Sequence, residues 1–106
     1  MQEVLTIEHF RPLKDKPFCL ELEGVGKVEL ILSEVTDLGP RPGVGDSGRD
    51  RTFSLIFRGG LLGPEKNLYL TQRTYKLEQE DLGSLDIFLV PIGPDKIGMR
   101  YEAIFN

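Results

Sequence analysis

The sequence is poor in the residues that build reactive or cross-linked sites. Its 106 residues include one cysteine, one histidine and no tryptophan. A single cysteine, Cys19, excludes an internal disulfide. One histidine and one cysteine cannot supply the four nitrogen and sulfur ligands of a structural zinc site. We therefore expect neither a bound metal nor a cofactor.

Long apolar runs and a strong excess of one charge are also missing. No window approaches the ~18 apolar residues of a membrane span, and the start, MQEVLTIEHF, lacks the pattern of a signal peptide. The formal net charge is −4, and the arginines near residue 50 are interleaved with aspartates. Nucleic-acid binders instead carry a basic stripe. These features predict a cytoplasmic protein that binds neither nucleic acid nor membranes.

The composition is typical of one soluble domain spanning residues 1–106, with 40% hydrophobic and 28% charged residues. The stretch LTIEHFRPL predicts a short helix, with Thr6 as the N-cap and a hydrophobic staple between Leu5 and Phe10. Pro12 is expected to end this helix, because the residue before a proline avoids the helical conformation. We expect the helix to plug one end of a sheet.

From Pro17 onward the apolar residues follow a period of two, which predicts strands. In KVELILSEV, Val35 breaks the alternation, which predicts a β-bulge near Ser33. The run LDIFLVPI is apolar on both faces and predicts a central strand that is covered on both sides. The remaining strands are predicted in PFCLEL, TFSLIF, TYKLE and MRYEAIF, with a weaker one in LYL.

Short strands at regular spacing predict an all-β fold, a small antiparallel barrel or barrel-like sandwich of about six strands with a short N-terminal helix. Residues 37–51 interrupt the pattern with four glycines, two prolines and six charged residues. This composition predicts a flexible loop.

Within that loop, Gly45-Asp46-Ser47-Gly48 matches the residues around the nucleophile of chymotrypsin-like proteases. A nucleophilic serine needs an imidazole base, for which His9 is the only candidate. The protease pattern usually continues with glycine, whereas this sequence has Arg49, and a Gly/Pro-rich loop fixes a nucleophile poorly. We predict no catalytic residue and keep a small serine hydrolase as an alternative.

A thiol nucleophile at Cys19 requires a nearby imidazole and an electropositive pocket. Cys19 lies in an alternating apolar stretch, which predicts a buried structural cysteine. We expect His9 to cap its helix or to lie on the surface.

Three amphipathic tyrosines, Tyr69, Tyr75 and Tyr101, together with a long loop and open sheet edges, favour a binding or assembly module. A small-ligand-binding β-barrel is the other alternative. Large apolar residues at the inward positions, however, predict a filled interior.

Four stretches resemble a family of small bacterial domains of unknown function: LTIEHFRPLKDKPFCLEL, RTFSLIFRGG, TQRTYKLEQEDLGSLDIFLVPIG and YEAIFN. The resemblance implies an association with phage-tail-collar-like proteins and carries over no catalytic residues. Our interpretation is a non-enzymatic protein–protein interaction or assembly module that binds a protein partner or itself. A narrower hypothesis makes it an accessory of a phage-tail-like system.

Overall fold

The computed structural model describes residues 5–40, 51–60, 62, 68–94 and 98–105. A four-residue helix, α1 (Ile7–Phe10), runs into a 3-10 turn (Arg11–Leu13) and precedes the strands. Six antiparallel strands form one sheet, which confirms the predicted fold class. They are β1 (Pro17–Leu22), β2 (Gly26–Pro40), β3 (Arg51–Gly59), β4 (Arg73–Gln79), β5 (Gly83–Pro94) and β6 (Met99–Phe105).

The sheet curls into an irregular barrel with the strand order β1-β2-β3-β6-β5-β4. Two of its seams are only partly paired. β5 pairs with β4 over its first half and with β6 only from Val90 onward. The described pairing between β1 and β4 consists of Cys19 opposite Glu78. Side-chain packing therefore holds the barrel closed together with the backbone hydrogen bonds between strands.

The bulge predicted in β2 is confirmed. Leu32 lies opposite Phe57 and Glu34 lies opposite Ile56, so Ser33 is the extra residue. The Ser33 hydroxyl donates a hydrogen bond of 3.1 Å to the carbonyl of Ile56 across the bulge. An extra residue bends the strand and reverses the facing of the side chains beyond it, which turns Val35 toward the interior.

Part of the stretch predicted as a flexible loop, residues 37–51, belongs to the strands. β2 extends through Pro40 and β3 begins at Arg51, while residues 41–50 lie outside the described part of the chain. A second bulge separates Asp37 from Gly39. The Asp37 carboxylate accepts a hydrogen bond of 2.8 Å from the Gly39 N–H, and Gly39 has φ +99°. Residues that are typical of a loop thus form an irregular strand end.

The N-terminal helix plugs one end of the barrel, as predicted. The Phe10 side chain is fully buried, and its ring centroid lies 5.7 Å from that of Phe53 and 5.3 Å from that of Phe105. The α-helix ends at Phe10, close to the predicted end, and Pro12 lies in the 3-10 turn that follows it. Proline is tolerated in a first turn, where its missing N–H has no helical partner.

At the other end of the barrel, two tyrosine hydroxyl groups form hydrogen bonds to the backbone. The Leu70 N–H donates a hydrogen bond of 2.9 Å to the Tyr101 hydroxyl, and the Tyr75 hydroxyl donates one of 2.7 Å to the Thr71 carbonyl. Leu70 is fully buried. The weak strand predicted at LYL is wrong, because Leu68 makes only an isolated bridge to Leu62.

Between the two ends, inward-facing apolar side chains occupy the interior. On β3, the alternate residues Phe53, Leu55 and Phe57 are buried, and on β6 Met99, Tyr101 and Ala103 are buried while Phe105 is partly buried. A small barrel of this kind is filled by its own side chains. The buried inward residues of the strands are Phe18, Leu20, Val28, Leu30, Leu32, Phe53, Leu55, Phe57, Tyr75, Leu77, Ile87, Leu89, Met99, Tyr101 and Ala103.

Gly98→Ala is expected to destabilise the fold, because a Cβ at this position would lie 2.6 Å from the carbonyl oxygen of Gly59. Backbone that must shift to relieve such a contact costs about 1–3 kcal/mol. Gly60→Ala is the matched control, since a Cβ there meets nothing within 4 Å. Urea unfolding followed by circular dichroism measures both. Equal midpoints for the two variants would contradict the close approach of these strand ends.

Tyr101→Phe is expected to lower the free energy of unfolding by about 1–3 kcal/mol near neutral pH, because it leaves the buried Leu70 N–H without an acceptor. Burial raises the pKa of the Tyr101 hydroxyl, and the hydrogen bond from Leu70 opposes this shift. The folded state therefore favours the neutral phenol. The stability that this raised pKa contributes is fully present below about pH 10, the pKa of tyrosine in the unfolded chain. It is lost as the pH rises through the pKa in the folded state.

Urea unfolding at about pH 7 and pH 11 separates the two effects. The wild type is expected to lose stability between these pH values, and Tyr101→Phe to lose less. Tyr69→Phe serves as the control, because the Tyr69 side chain is half exposed. An identical pH response in wild type and Tyr101→Phe would refute the assignment to this hydroxyl.

Candidate functional site

His9 is engaged at the start of α1. Its Nδ1 accepts a hydrogen bond of 2.9 Å from the Thr6 N–H, and the His9 N–H donates one of 3.0 Å to the Thr6 carbonyl. This reciprocal arrangement confirms the predicted capping role. Ser47 lies outside the described residues, so the serine-hydrolase alternative stays a prediction.

Cys19 is half-buried on the outer face of β1, so the prediction of a buried structural cysteine is wrong. Phe18 and Leu20 take the inward positions on either side of it. The cross-strand neighbours of Cys19 are Glu29 and Glu78. Carboxylates are the opposite of the cationic surroundings that activate a thiol, which argues against a nucleophilic role.

Two of the three tyrosines belong to the core. Tyr75 and Tyr101 are buried, and the Arg73 guanidinium lies over the Tyr75 ring at 4.8 Å from its centroid. Tyr69 is half exposed and is the tyrosine whose ring a partner can reach.

The described residues contain no group of three or more His, Cys, Asp or Glu side chains placed to hold a metal ion. None of the helices found there has the length and apolar character needed to cross a membrane.

The prediction of a central strand covered on both sides is wrong for β5. Ile87 and Leu89 are buried, but Phe88 is 50% exposed and Ile92 is 38% exposed. A single curled sheet has one interior, so the second apolar face of β5 remains outside.

Apolar residues of two neighbouring strands form one surface, which we name the outer patch: Phe88, Val90 and Ile92 of β5 and Ile104 of β6. Ile104 is 49% exposed. Val90 lies opposite Glu102 on β6, so Ile104 is its diagonal neighbour. Scattered apolar residues on a surface are ordinary, but clusters mark interaction sites.

Charged residues border the outer patch in two rows across β2, β3 and β6. Arg58 of β3 lies directly opposite Arg100 of β6, and both side chains are half-buried. Two residues before Arg58 on β3, Ile56 lies between Glu34 of β2 and Glu102 of β6. We call Arg58 and Arg100 the arginine row, and Glu34 and Glu102 the glutamate row. They are separated by about 7 Å along the strands.

The arginine row places two like charges in directly opposite positions of neighbouring strands, a pairing that is generally unfavourable in a sheet. Within the described residues, the Arg100 Nε is also buried without a hydrogen-bond partner. Sequence reasoning missed both the patch and the rows. The signal for the patch was the two-faced apolar pattern of β5, whereas the rows depend on strand register.

The comparisons with known proteins give one match. No curated protein and no solved structure matches the chain. A family model described as a domain of unknown function (DUF6916) matches residues 5–105, almost the whole length. The chain therefore belongs to the DUF6916 family, and that family's description names no activity.

Proposed function

We propose that this protein is a non-enzymatic protein–protein interaction or assembly module that binds through the outer patch. The observation that carries the proposal is the exposure of Phe88, Ile92 and Ile104, three large apolar side chains on one continuous surface. A monomer in water gains nothing from this arrangement, whereas a bound partner removes these side chains from solvent.

The energy available at the outer patch is enough to assist binding. Full burial of a large apolar side chain contributes about 1.5–3 kcal/mol. Covering the exposed half of three such side chains therefore contributes on the order of 3 kcal/mol. The rest of the affinity would come from the polar groups around the patch, as in the rims of ordinary interfaces.

Two further features support a surface function over a chemical one. The barrel interior is occupied by its own side chains, which argues against a ligand cavity. The His9 imidazole is held at the helix start and Cys19 lies between carboxylates. Neither environment resembles that of an activated nucleophile.

The sequence resemblance narrows the proposal to one kind of partner. If the family's association with phage-tail-collar-like proteins extends to this chain, the partner is a structural protein of a tail-like assembly. A stable barrel that exposes an apolar face suits such a role, because the face needs no rearrangement in order to bind.

The double variant Phe88→Ser/Ile104→Ser is expected to lose protein binding at least about tenfold, because it removes the two most exposed side chains of the outer patch. Val25→Ser/Leu68→Ser is the matched control, because these apolar residues lie outside the patch and are exposed to a similar degree. Sedimentation velocity measures self-association, and affinity capture from the source cells measures other partners. Circular dichroism confirms that both variants fold.

The proposal fails if the wild type is monomeric and captures nothing that the patch variant does not also capture. It also fails if a fluorophosphonate probe labels the wild type and this labelling disappears in Ser47→Ala. That result would establish the serine hydrolase instead.

A further inference from the structure

We infer that the partner of the outer patch adds an extended strand to β5, in a gap that separates Phe88 from Ile104. This inference rests on the proposed function, which makes the patch an interaction surface, and it adds how the partner binds. It is carried by the backbone of β5, whose first half pairs with β4 on one side and, within the described residues, with no strand on the other.

Pro91 shows which way the backbone groups of β5 face. Val90 lies opposite Glu102 in an antiparallel ladder, where opposed residues alternately exchange two hydrogen bonds or none. If Val90 and Glu102 exchanged none, one of the bonds around them would need an N–H from Pro91, which proline lacks. Val90 and Glu102 therefore direct their N–H and C=O groups toward each other.

The alternation carries this direction to the residues before Val90. β5 pairs with β4 without a bulge from Gly83 to Leu89, so every second residue faces the same way. Ser84, Asp86 and Phe88 therefore direct their N–H and C=O groups toward the side of β6. The ladder between β5 and β6 begins only at Val90, so none of these three residues has a described strand partner there. We call them the open edge.

β6 forms the other side of the gap. Glu102 directs its backbone groups toward β5, and Ile104, two residues later, does the same. A continued ladder would place Ile104 opposite Phe88, but the described pairing does not include these two residues. Both side chains are about half exposed. The most exposed side chains of the outer patch thus flank backbone groups that lack a strand partner.

A groove lies beside the open edge. It has a volume of about 500 Å³ and is lined on β5 by Ser84, Leu85 and Asp86, and on the N-terminal segment by Leu5 and His9. Clefts of roughly 300–1,000 Å³ are typical of ligand sites. An extended segment of about five residues, ~17 Å long, would span the open edge.

An extended peptide is the occupant that suits this edge. A row of N–H and C=O groups without a strand partner binds the backbone of another strand, and side-chain contacts set the specificity. The outward residue between Phe88 and Ile104 would be apolar, whereas the one beside Asp86 would be polar. The inward residues would be small, because Ile87 and Leu89 already fill the interior next to them.

Amide hydrogen exchange tests the open edge in the isolated protein. The amide protons of Asp86 and Phe88 are expected to exchange at least about a hundredfold faster than those of Ile87 and Leu89, which face β4. Two-dimensional NMR resolves these amides individually. Equal protection of Phe88 and Leu89 would mean that the edge is already covered, and overturns the inference.

A peptide with the expected pattern tests binding. The probe is acetyl-Thr-Ser-Val-Ser-Thr-amide, which presents its valine on one face and serines on the other. It is expected to bind with a Kd on the order of 1 mM and to shift the amide signals of Phe88 and Ile104. The same peptide with a methyl group on the valine nitrogen cannot complete the ladder and is expected to bind at least about tenfold more weakly.

A matched pair of variants tests the backbone of the open edge. Asp86→Pro removes an N–H that faces the gap, and an edge strand tolerates proline at such a position. Asp86→Ala removes the same carboxylate but keeps the N–H. Asp86→Pro is expected to bind the peptide at least about tenfold more weakly than Asp86→Ala. Circular dichroism checks that both variants fold, and the methylated peptide tests the same contact on the wild type.

A peptide that shifts no amide signal, or that binds Asp86→Pro and Asp86→Ala equally, overturns the inference. Protein capture judges the proposed function separately. If Phe88→Ser/Ile104→Ser loses a captured protein that Asp86→Pro and Asp86→Ala retain equally, the interaction function survives and strand addition is wrong. If none of these variants changes what is captured, both proposals are wrong.

Discussion

The structure depends on one constraint: a single small sheet has one interior and can bury only one of its faces in it. The inward residues of all six strands meet in one core, with Phe10 at one end and Leu70 hydrogen-bonded to Tyr101 at the other. Among the described residues, no second layer lies over the apolar side chains on the outward face. Phe88 and Ile104 are in that position, so the fold itself creates the surface on which the proposed function rests.

Much of the fold was predictable because its determinants are local. The period of two placed the strands, and the parity break at Val35 located the bulge at Ser33. The sequence around Phe10 predicted a short helix that plugs one end of the sheet, and Phe10 does belong to the core. The errors arose where one local pattern serves two structures. Asp37 and Gly39 carry loop-like chemistry, yet a side-chain hydrogen bond and a positive φ suit a bulged strand end equally well.

The candidate site was less predictable, for two different physical reasons. The two-faced apolar pattern of β5 predicts a strand covered on both sides, but periodicity alone does not show whether a second layer of the same chain lies over the outer face. The arginine row has no local pattern at all. Arg58 and Arg100 are brought together by the register of β3 against β6, which is set by the bulges, the turns and the closure of the whole sheet.

The outer face of the isolated chain combines exposed apolar side chains with half-buried arginines. Phe88, Ile92 and Ile104 leave apolar area in contact with water, and Arg58 and Arg100 lie opposite each other in the register of β3 and β6. A purely apolar cover over this face would remove charged side chains from water without supplying counter-charges, which is costly. A purely polar cover would leave the apolar area wet. A partner suited to this face therefore brings apolar groups to the outer patch and polar or acidic groups to the arginines beside it.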